Sequence, residues 1–199
     1  MRHYLCSKIG PIFTSNPYTI DFLSDQILFA YDCKTSNRTY FTAASTNQDK
    51  SIKINNPLGK EIIHICIDGG LIRHGLKDYV GDGKPRGRCD CMIFNDDKLL
   101  LIEFKMDVQE LTRDKTLWKT FSHAMKQIKE FFKHLESSLN QNGDDIFTLY
   151  SKENIIPIIC MKNQPTFHPR RNAQRNNEKE RFRIDTSLKI ELLCEYELT

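Results

Sequence analysis

Asp90, Glu103 and Lys105 are the residues of this chain whose types and spacing could do chemistry. They lie in the stretch RCDCMIFNDDKLLLIEFK, from Arg88 to Lys105. Strand side chains alternate faces, so Glu103 and Lys105 project from one face of the strand that carries them. An antiparallel pairing of Arg88 to Phe94 with Leu99 to Lys105 brings the start of the first run beside the end of the second, and Asp90 joins them. Two carboxylates a few ångströms apart repel, and a divalent cation relieves the repulsion. Mg²⁺ takes one or two carboxylates and keeps waters, leaving room for phosphate oxygens. Such an ion lowers the pKa of a bound water and neutralises charge at phosphorus. A lysine beside it orients that water or stabilises developing negative charge. The competing reading is a surface hairpin whose acids and lysine merely face solvent. Against it, the apolar run Leu99, Leu100, Leu101, Ile102 gives little reason to end a core strand with Glu and Lys.

These residues need elements to hold them. Asn95, Asp96, Asp97 and Lys98 are turn formers between two apolar runs, the mark of a hairpin. Upstream, Glu61 to Asp68 reads EIIHICID, which predicts a mostly buried strand, and Gly69-Gly70 permits a bend or bulge. His64 and Asp68 would share a face of it. Asp68 is open to two readings, a further carboxylate for the site or a turn former, while His64 reads as a packed or hydrogen-bonded histidine. Residues 1 to 16 give weak signals. Thr19 to Tyr31 has apolar residues at 20, 23, 27, 28 and 31, which predicts a helix with one apolar face. Asp21 and Asp25 would lie four apart on its solvated side. Residues 32 to 60 are polar; YFTAAS is a candidate short strand, and TNQDKSIKINNPLGK reads as turn and loop.

Downstream, Lys115 to Leu139 carries apolar residues at 117, 118, 121, 124, 125, 128, 131, 132, 135 and 139, the strongest helical stripe in the chain. Its other side holds Lys119, Lys126, Lys129 and Lys133, and Gly143 is its stop signal. Asn154 to Met161, NIIPIICM, reads as a buried strand in which Pro157 indicates an edge or a bulge. Leu188 to Leu198 reads as a closing strand. The order is helix, three strands, long helix, strand, then an extension.

Aspartate, twelve residues, then Glu103-Phe104-Lys105 resembles the PD-(D/E)xK nuclease superfamily, most sharply over Ile62 to Gln127. Cys89 stands where many members have proline. The wording IDGGLI, RCDCMIF and LLLIEFK is also similar to small bacterial proteins of that superfamily. The resemblance implies a restriction-endonuclease-like αβββαβ core of class α/β (α+β), a mixed sheet flanked by helices. It implies Mg²⁺ or Mn²⁺ held by Asp90, Glu103 and the Phe104 carbonyl, with Lys105 positioning the attacking water. The helix after the E-x-K strand would lend Gln127, or Lys126, as an accessory group. The opening helix would lend an acid, for which Asp21 and Asp25 are candidates.

Composition bounds the rest. A chain of 199 residues, 39% hydrophobic and 28% charged, fits one domain, with a core from about 17 to 161 and a basic C-terminal segment and closing strand over 162 to 199. Net charge is only +3, so any nucleic-acid signal is local. One such signal is the loop 71 to 87, with Lys84 and Arg86, leading into Arg88; it is either a phosphate-backbone contact or a solvated hairpin loop. The other runs from His168 to Arg183, with six Arg/Lys against two Glu, including Arg170, Arg171 and Arg175. It is a nucleic-acid contact, a partner contact, or a surface helix with paired charges. Seven scattered cysteines point to reduced thiols in a cytosol. Cys89 and Cys91 are expected on the face opposite Asp90, as small buried hydrophobes rather than metal ligands. Neither a signal peptide nor a membrane span is expected, so the expected location is cytoplasmic.

The function expected is metal-dependent hydrolysis of DNA phosphodiester bonds, by family-level analogy in bacterial or phage defence. The alternative is a nuclease-fold subunit that is non-catalytic or switched on by a recruiting protein partner, and RNA as substrate stays open. A homodimer fits double-strand cleavage, since one site cuts one strand at a time.

Overall fold

Runs of Ile, Leu, Val and aromatic residues form strands here because such side chains pack well on a pleated, half-buried surface. The computed structural model describes Ser7 and residues 20–33, 38–44, 51–67, 89–105, 114–161 and 169–198. Its strands are β1 (Ile20–Leu23), β2 (Ile27–Cys33), β3 (Arg38–Thr42), β4 (Ser51–Asn55), β5 (Ile62–Cys66), β6 (Cys91–Phe94), β7 (Leu99–Phe104), β8 (Ile155–Cys160), β9 (Glu191–Leu192) and β10 (Glu195–Glu197). Its helices are α1 (Asp114–Gln141), α2 (Ile146–Leu149) and α3 (Pro169–Thr186), with a 3₁₀ turn at Lys152–Asn154. The fold is α+β. One six-stranded sheet runs β1-β5-β6-β7-β8-β9, and one four-stranded sheet runs β10-β4-β2-β3.

The centre of the first sheet is an antiparallel meander, β5-β6-β7, followed by α1 and by β8 parallel to β7. Alternation then sorts its side chains. Ile63, Ile65, Met92, Phe94, Leu99, Leu101 and Ile159 face α1 and pack with its stripe of Phe121, Ala124, Ile128, Phe131, Phe132 and Leu135. Ile62, Ile93, Leu100, Ile102 and Ile158 face the other way and pack against Leu28, Ala30, Ile52 and Ile54 of the second sheet. The molecule is thus layered helix, sheet, sheet. Helices α1 and α3 flank the sheet on one face, and among the described residues a second sheet covers the other.

Two corrections explain that layer. Within the helix expected over Thr19 to Tyr31, residues 20–31 instead form strand β1 and most of β2, separated by the polar Ser24-Asp25-Gln26. Leu28 and Ala30 alternate into the core between the sheets, and ladder partners on both β3 and β4 override the helical spacing. Within the expected loop, SIKIN forms β4, with Ile52 and Ile54 buried and Lys53 and Asn55 less so. The short strand expected at YFTAAS is β3, which begins earlier, at Arg38.

The hairpin turn forms as expected. Asn95 Oδ1 accepts the N–H groups of Asp97 and Lys98 at 2.9 and 2.8 Å, and the Asn95 carbonyl accepts the Tyr150 hydroxyl at 2.6 Å. The α1 helix ends as expected too, at Gly143, whose φ of +80° suits a residue without Cβ. Pro157 is buried inside β8, which lies between β7 and β9 rather than at an edge. Backbone alternation explains this. Cys160 bonds toward β7 and Ile159 toward β9, so Pro157, two residues before Ile159, directs its nitrogen to the β9 side. The short β9 ladder starts only at Ile158, so no ladder bond is lost there. The expected closing strand is split: β9 extends the first sheet and β10 pairs parallel with β4 in the second.

Candidate functional site

Asp90 stands at a break in the β6 ladder. Cys91 pairs with Ile102, yet the Asp90 N–H also donates to the Ile102 carbonyl, at 2.9 Å. Two consecutive residues oppose one, which is a β-bulge. Burial agrees. Cys89 packs in the core under α1 while Cys91 packs in the core between the sheets, although residues two apart in a regular strand share a face. The expectation that both cysteines lie opposite Asp90 is corrected by this inserted residue. The Asp90 carbonyl turns to β5 and accepts the Ile67 N–H at 3.0 Å, while its side chain reaches β7, where Oδ2 accepts the Phe104 N–H at 2.5 Å.

Glu103 and Lys105 share a face of β7 and meet: the Lys105 ammonium donates to Glu103 Oε1. Glu103 lies opposite Ile159 on the α1 side and is 0% exposed. Lys105 is 21% exposed, so the pair runs from core to solvent. A carboxylate in such surroundings is costly unless a cation and hydrogen bonds compensate it. The Lys105 N–H bonds the Cys160 carbonyl on β8 at 2.9 Å. Backbone groups of the preceding residue point the other way, so the Phe104 carbonyl is directed toward β6 and Asp90.

The oxygen donors near this end of the hairpin are the Asp90 carboxylate, which bonds the Phe104 N–H and acts on Cys91 and Cys160, the Glu103 carboxylate on the α1 face, and the Phe104 carbonyl, each of the kind Mg²⁺ accepts. Thiols do not compete. Burial pushes the Cys91 thiol well up, with Cys89 and Asp90 beside it adding to the effect, and burial raises Cys160 likewise. Cys89 and Cys91 are buried, as expected, and a raised pKa makes a thiol hold its proton more tightly. Among the described residues, no group of three or more His, Cys, Asp or Glu is placed to hold a metal ion.

The other expected contributors lie on several elements. Gln127 is half-buried on α1. Asp21 sits on β1 directly opposite His64, and its Oδ2 meets His64 Nδ1 at 2.9 Å. His64 stacks on Phe41 of the second sheet, so this pair occupies the face away from Glu103. Asp25 is exposed in the bend after β1, and its carbonyl accepts from Asn56. Neither acid is on a helix. Asp68, Lys84, Arg86 and Arg88 lie outside the described residues. Arg170, Arg171 and Arg175 fall on α3, Arg175 half-buried. That helix carries ion pairs at Arg181–Glu178 and Arg183–Glu180.

One polar contact had no signal in the sequence. Thr39 Oγ1 meets His64 Nε2 at 3.0 Å, and the Thr39 N–H reaches Cys66 Sγ at 3.3 Å. Only the packing of β3 over β5 brings them together. No helix of the described residues is long and apolar enough to cross a membrane. The chain matches no protein-family model, no curated protein and no solved structure.

Proposed function

We propose that the chain is a metal-dependent nuclease of the restriction-endonuclease-like kind that hydrolyses DNA phosphodiester bonds. The observation that carries the reading is that two contacts fall on consecutive residues at the open end of one hairpin: Asp90 accepts the Phe104 N–H, and Lys105 pairs with Glu103. The element order β5-β6-β7-α1-β8 supports it, being the last five members of the αβββαβ series. The bulge supports it as well, since bulges recur where a sheet must re-aim a functional side chain. The choice of DNA follows the resemblance of the Asp90 and Glu103-Phe104-Lys105 motif.

Asp90, Glu103 and the Phe104 carbonyl would hold Mg²⁺ or Mn²⁺, which supplies charge neutralisation and an acidified water. Asp90 keeps its carboxylate aimed by accepting the Phe104 N–H. Lys105 holds Glu103 with one donor and has others for the attacking water or a phosphate oxygen. Gln127 is the accessory group. The test is cleavage of supercoiled plasmid and of linear single- and double-stranded DNA, with Mg²⁺, with Mn²⁺ and with EDTA. Metal-dependent cutting that Asp90→Ala and Lys105→Ala both lose is the expected result; cutting that survives EDTA or both variants sinks the reading.

One observation favours a second reading. Glu103 is fully enclosed and already held by Lys105. A metal needs that enclosure to open, as in a nuclease subunit switched on by a protein partner. Metal binding without cutting by the isolated chain is its signature.

A further inference from the structure

The α1 and α3 helices do more than cover the sheet. Between them lies a cleft of about 490 Å³ whose floor includes Met125 and Phe182. Trp118 lines one end, half-buried against the core. Lys119, His123 and Lys126 stand exposed along the α1 wall, and Arg181, 75% exposed, stands on the α3 wall. The acids in the cleft are Glu178 and Asp185. Asp185 is taken up by Lys129 at 2.9 Å, a contact that ties the two helices, and holds its carboxyl below the usual range. Glu178 approaches Arg181 only at 3.8 Å. Cations therefore dominate the α1 rim, where Lys126 also approaches Glu130 at 3.6 Å, while on the α3 rim Arg181 is balanced by Glu178.

We propose that this cleft binds an unpaired stretch of a nucleic-acid strand, with one base stacked on Trp118 and the flanking phosphates met by Lys119, Lys126 and Arg181. The volume lies in the range of small-ligand sites and accepts a base with its sugar. An indole face is useful only to a base out of its duplex stack, which selects a single strand over a double helix. A cationic groove combined with an aromatic platform is the arrangement by which proteins hold single strands without reading sequence. The proposal takes its polymer from the nuclease reading but uses none of Asp90, Glu103 or Lys105, so the two can fail separately.

Trp118 is the single tryptophan of the chain, which makes the cleft report on itself. Short oligothymidylate is titrated into the full chain in EDTA, where metal-dependent cutting is off, and tryptophan emission is followed. Parallel titrations use oligouridylate, the same sequence as a duplex, and heparin. The expected result is saturable quenching that weakens with salt and is strongest for the single strands. The two oligomers separate DNA from RNA. Lys119→Glu with Lys126→Glu should weaken binding roughly tenfold or more, with unchanged circular dichroism because both side chains are exposed. Trp118→Leu, read by anisotropy of a labelled oligomer, should lose roughly five- to a hundred-fold, the range for one base–aromatic stack. Absence of quenching with absence of binding overturns the proposal. So does equal binding of duplex or heparin, or charge reversal without effect. Binding here with no cutting in the plasmid assay leaves the cleft standing and removes the nuclease; cutting without binding does the opposite.

Discussion

The two faces of the first sheet each carry one acid–base pair, and the pairs are mirror images in solvent exposure. On the α1 face the acid, Glu103, is buried and its cation, Lys105, reaches solvent. On the other face the base, His64, is 0% exposed and its acid, Asp21, is 46% exposed. The difference lies in what else each buried member touches. His64 uses both ring nitrogens, one on Asp21 and one on Thr39, and stacks on Phe41. With Asp21 accepting at Nδ1, a neutral ring carries its proton there and accepts the Thr39 hydroxyl at Nε2. Its capacity is spent on joining the two sheets. Glu103 instead lies next to the end of β7, where Lys105 gives it one N–H donor and has others. On the nuclease reading proposed above, the His64 pair is architecture and the Glu103 pair is chemistry.

The strongest way to break that contrast is activity. On the proposed nuclease reading, Lys105→Ala and Glu103→Gln should each cut metal-dependent cleavage by about 10²–10⁴-fold, whereas Asp21→Asn should leave the rate of the folded chain unchanged. Initial rates on supercoiled plasmid decide it. Loss of rate in Asp21→Asn, with native thermal unfolding, would return Asp21 to the site.

Stability should rank the pairs the other way. His64→Ala empties a buried ring site and strands Thr39, at a cost of about 3 kcal/mol. Lys105→Ala leaves Glu103 buried without its cation, but Lys105 is partly solvated, so the cost is about 1–3 kcal/mol. The double variant Lys105→Ala/Glu103→Gln removes the stranded charge and should recover part of that loss. Urea unfolding midpoints measure all three. A Lys105→Ala variant as stable as wild type would mean that Glu103 does not need its partner. Asp90→Asn sharpens the contrast further. The amide oxygen still accepts the Phe104 N–H, so stability should hold within about 1 kcal/mol while activity falls. A parallel collapse of both would make the bulge carboxylate a structural group.

Legibility in the sequence followed the locality of the signal. The hairpin, the strand at Glu61, the long helix and its stop at Gly143 all rest on contacts within a few residues, and all stand in the structure. The Glu103–Lys105 contact followed from period-two alternation alone. The second sheet did not, because its strands are short, polar-flanked and paired with distant partners. SIKIN shows the alternation of a strand, but Asn-rich neighbours masked it. ILFAY satisfies a helical and a strand spacing equally, and only β3 and β4 decide between them. The bulge had no glycine or proline to announce it. It inserts one residue at Asp90, so Cys91 lies on the expected face, away from Glu103, but counting by twos back from it gave the wrong face for Cys89.

A third pair completes the comparison, with both members at the surface. Glu195 on β10 lies opposite Lys53 on β4, meets its ammonium at 2.8 Å, and also accepts from Asn55 at 2.7 Å. These hydrogen bonds, with Lys53's charge adding less, hold the Glu195 carboxyl below its usual range. A depressed carboxyl stabilises the fold above its ordinary pKa, and that contribution disappears as pH falls through the depressed value. Solvent and salt screen an exposed pair, so this is the smallest effect of the set. Glu195→Gln should lower the thermal midpoint slightly at neutral pH and low salt. The gap to wild type should close both with added salt and on acidification below the ordinary carboxylate range. His64→Ala should show no such closure with salt, because burial shields its contacts from counterions. Equal salt sensitivity of the two variants would mean that the His64 link between the sheets is open to solvent.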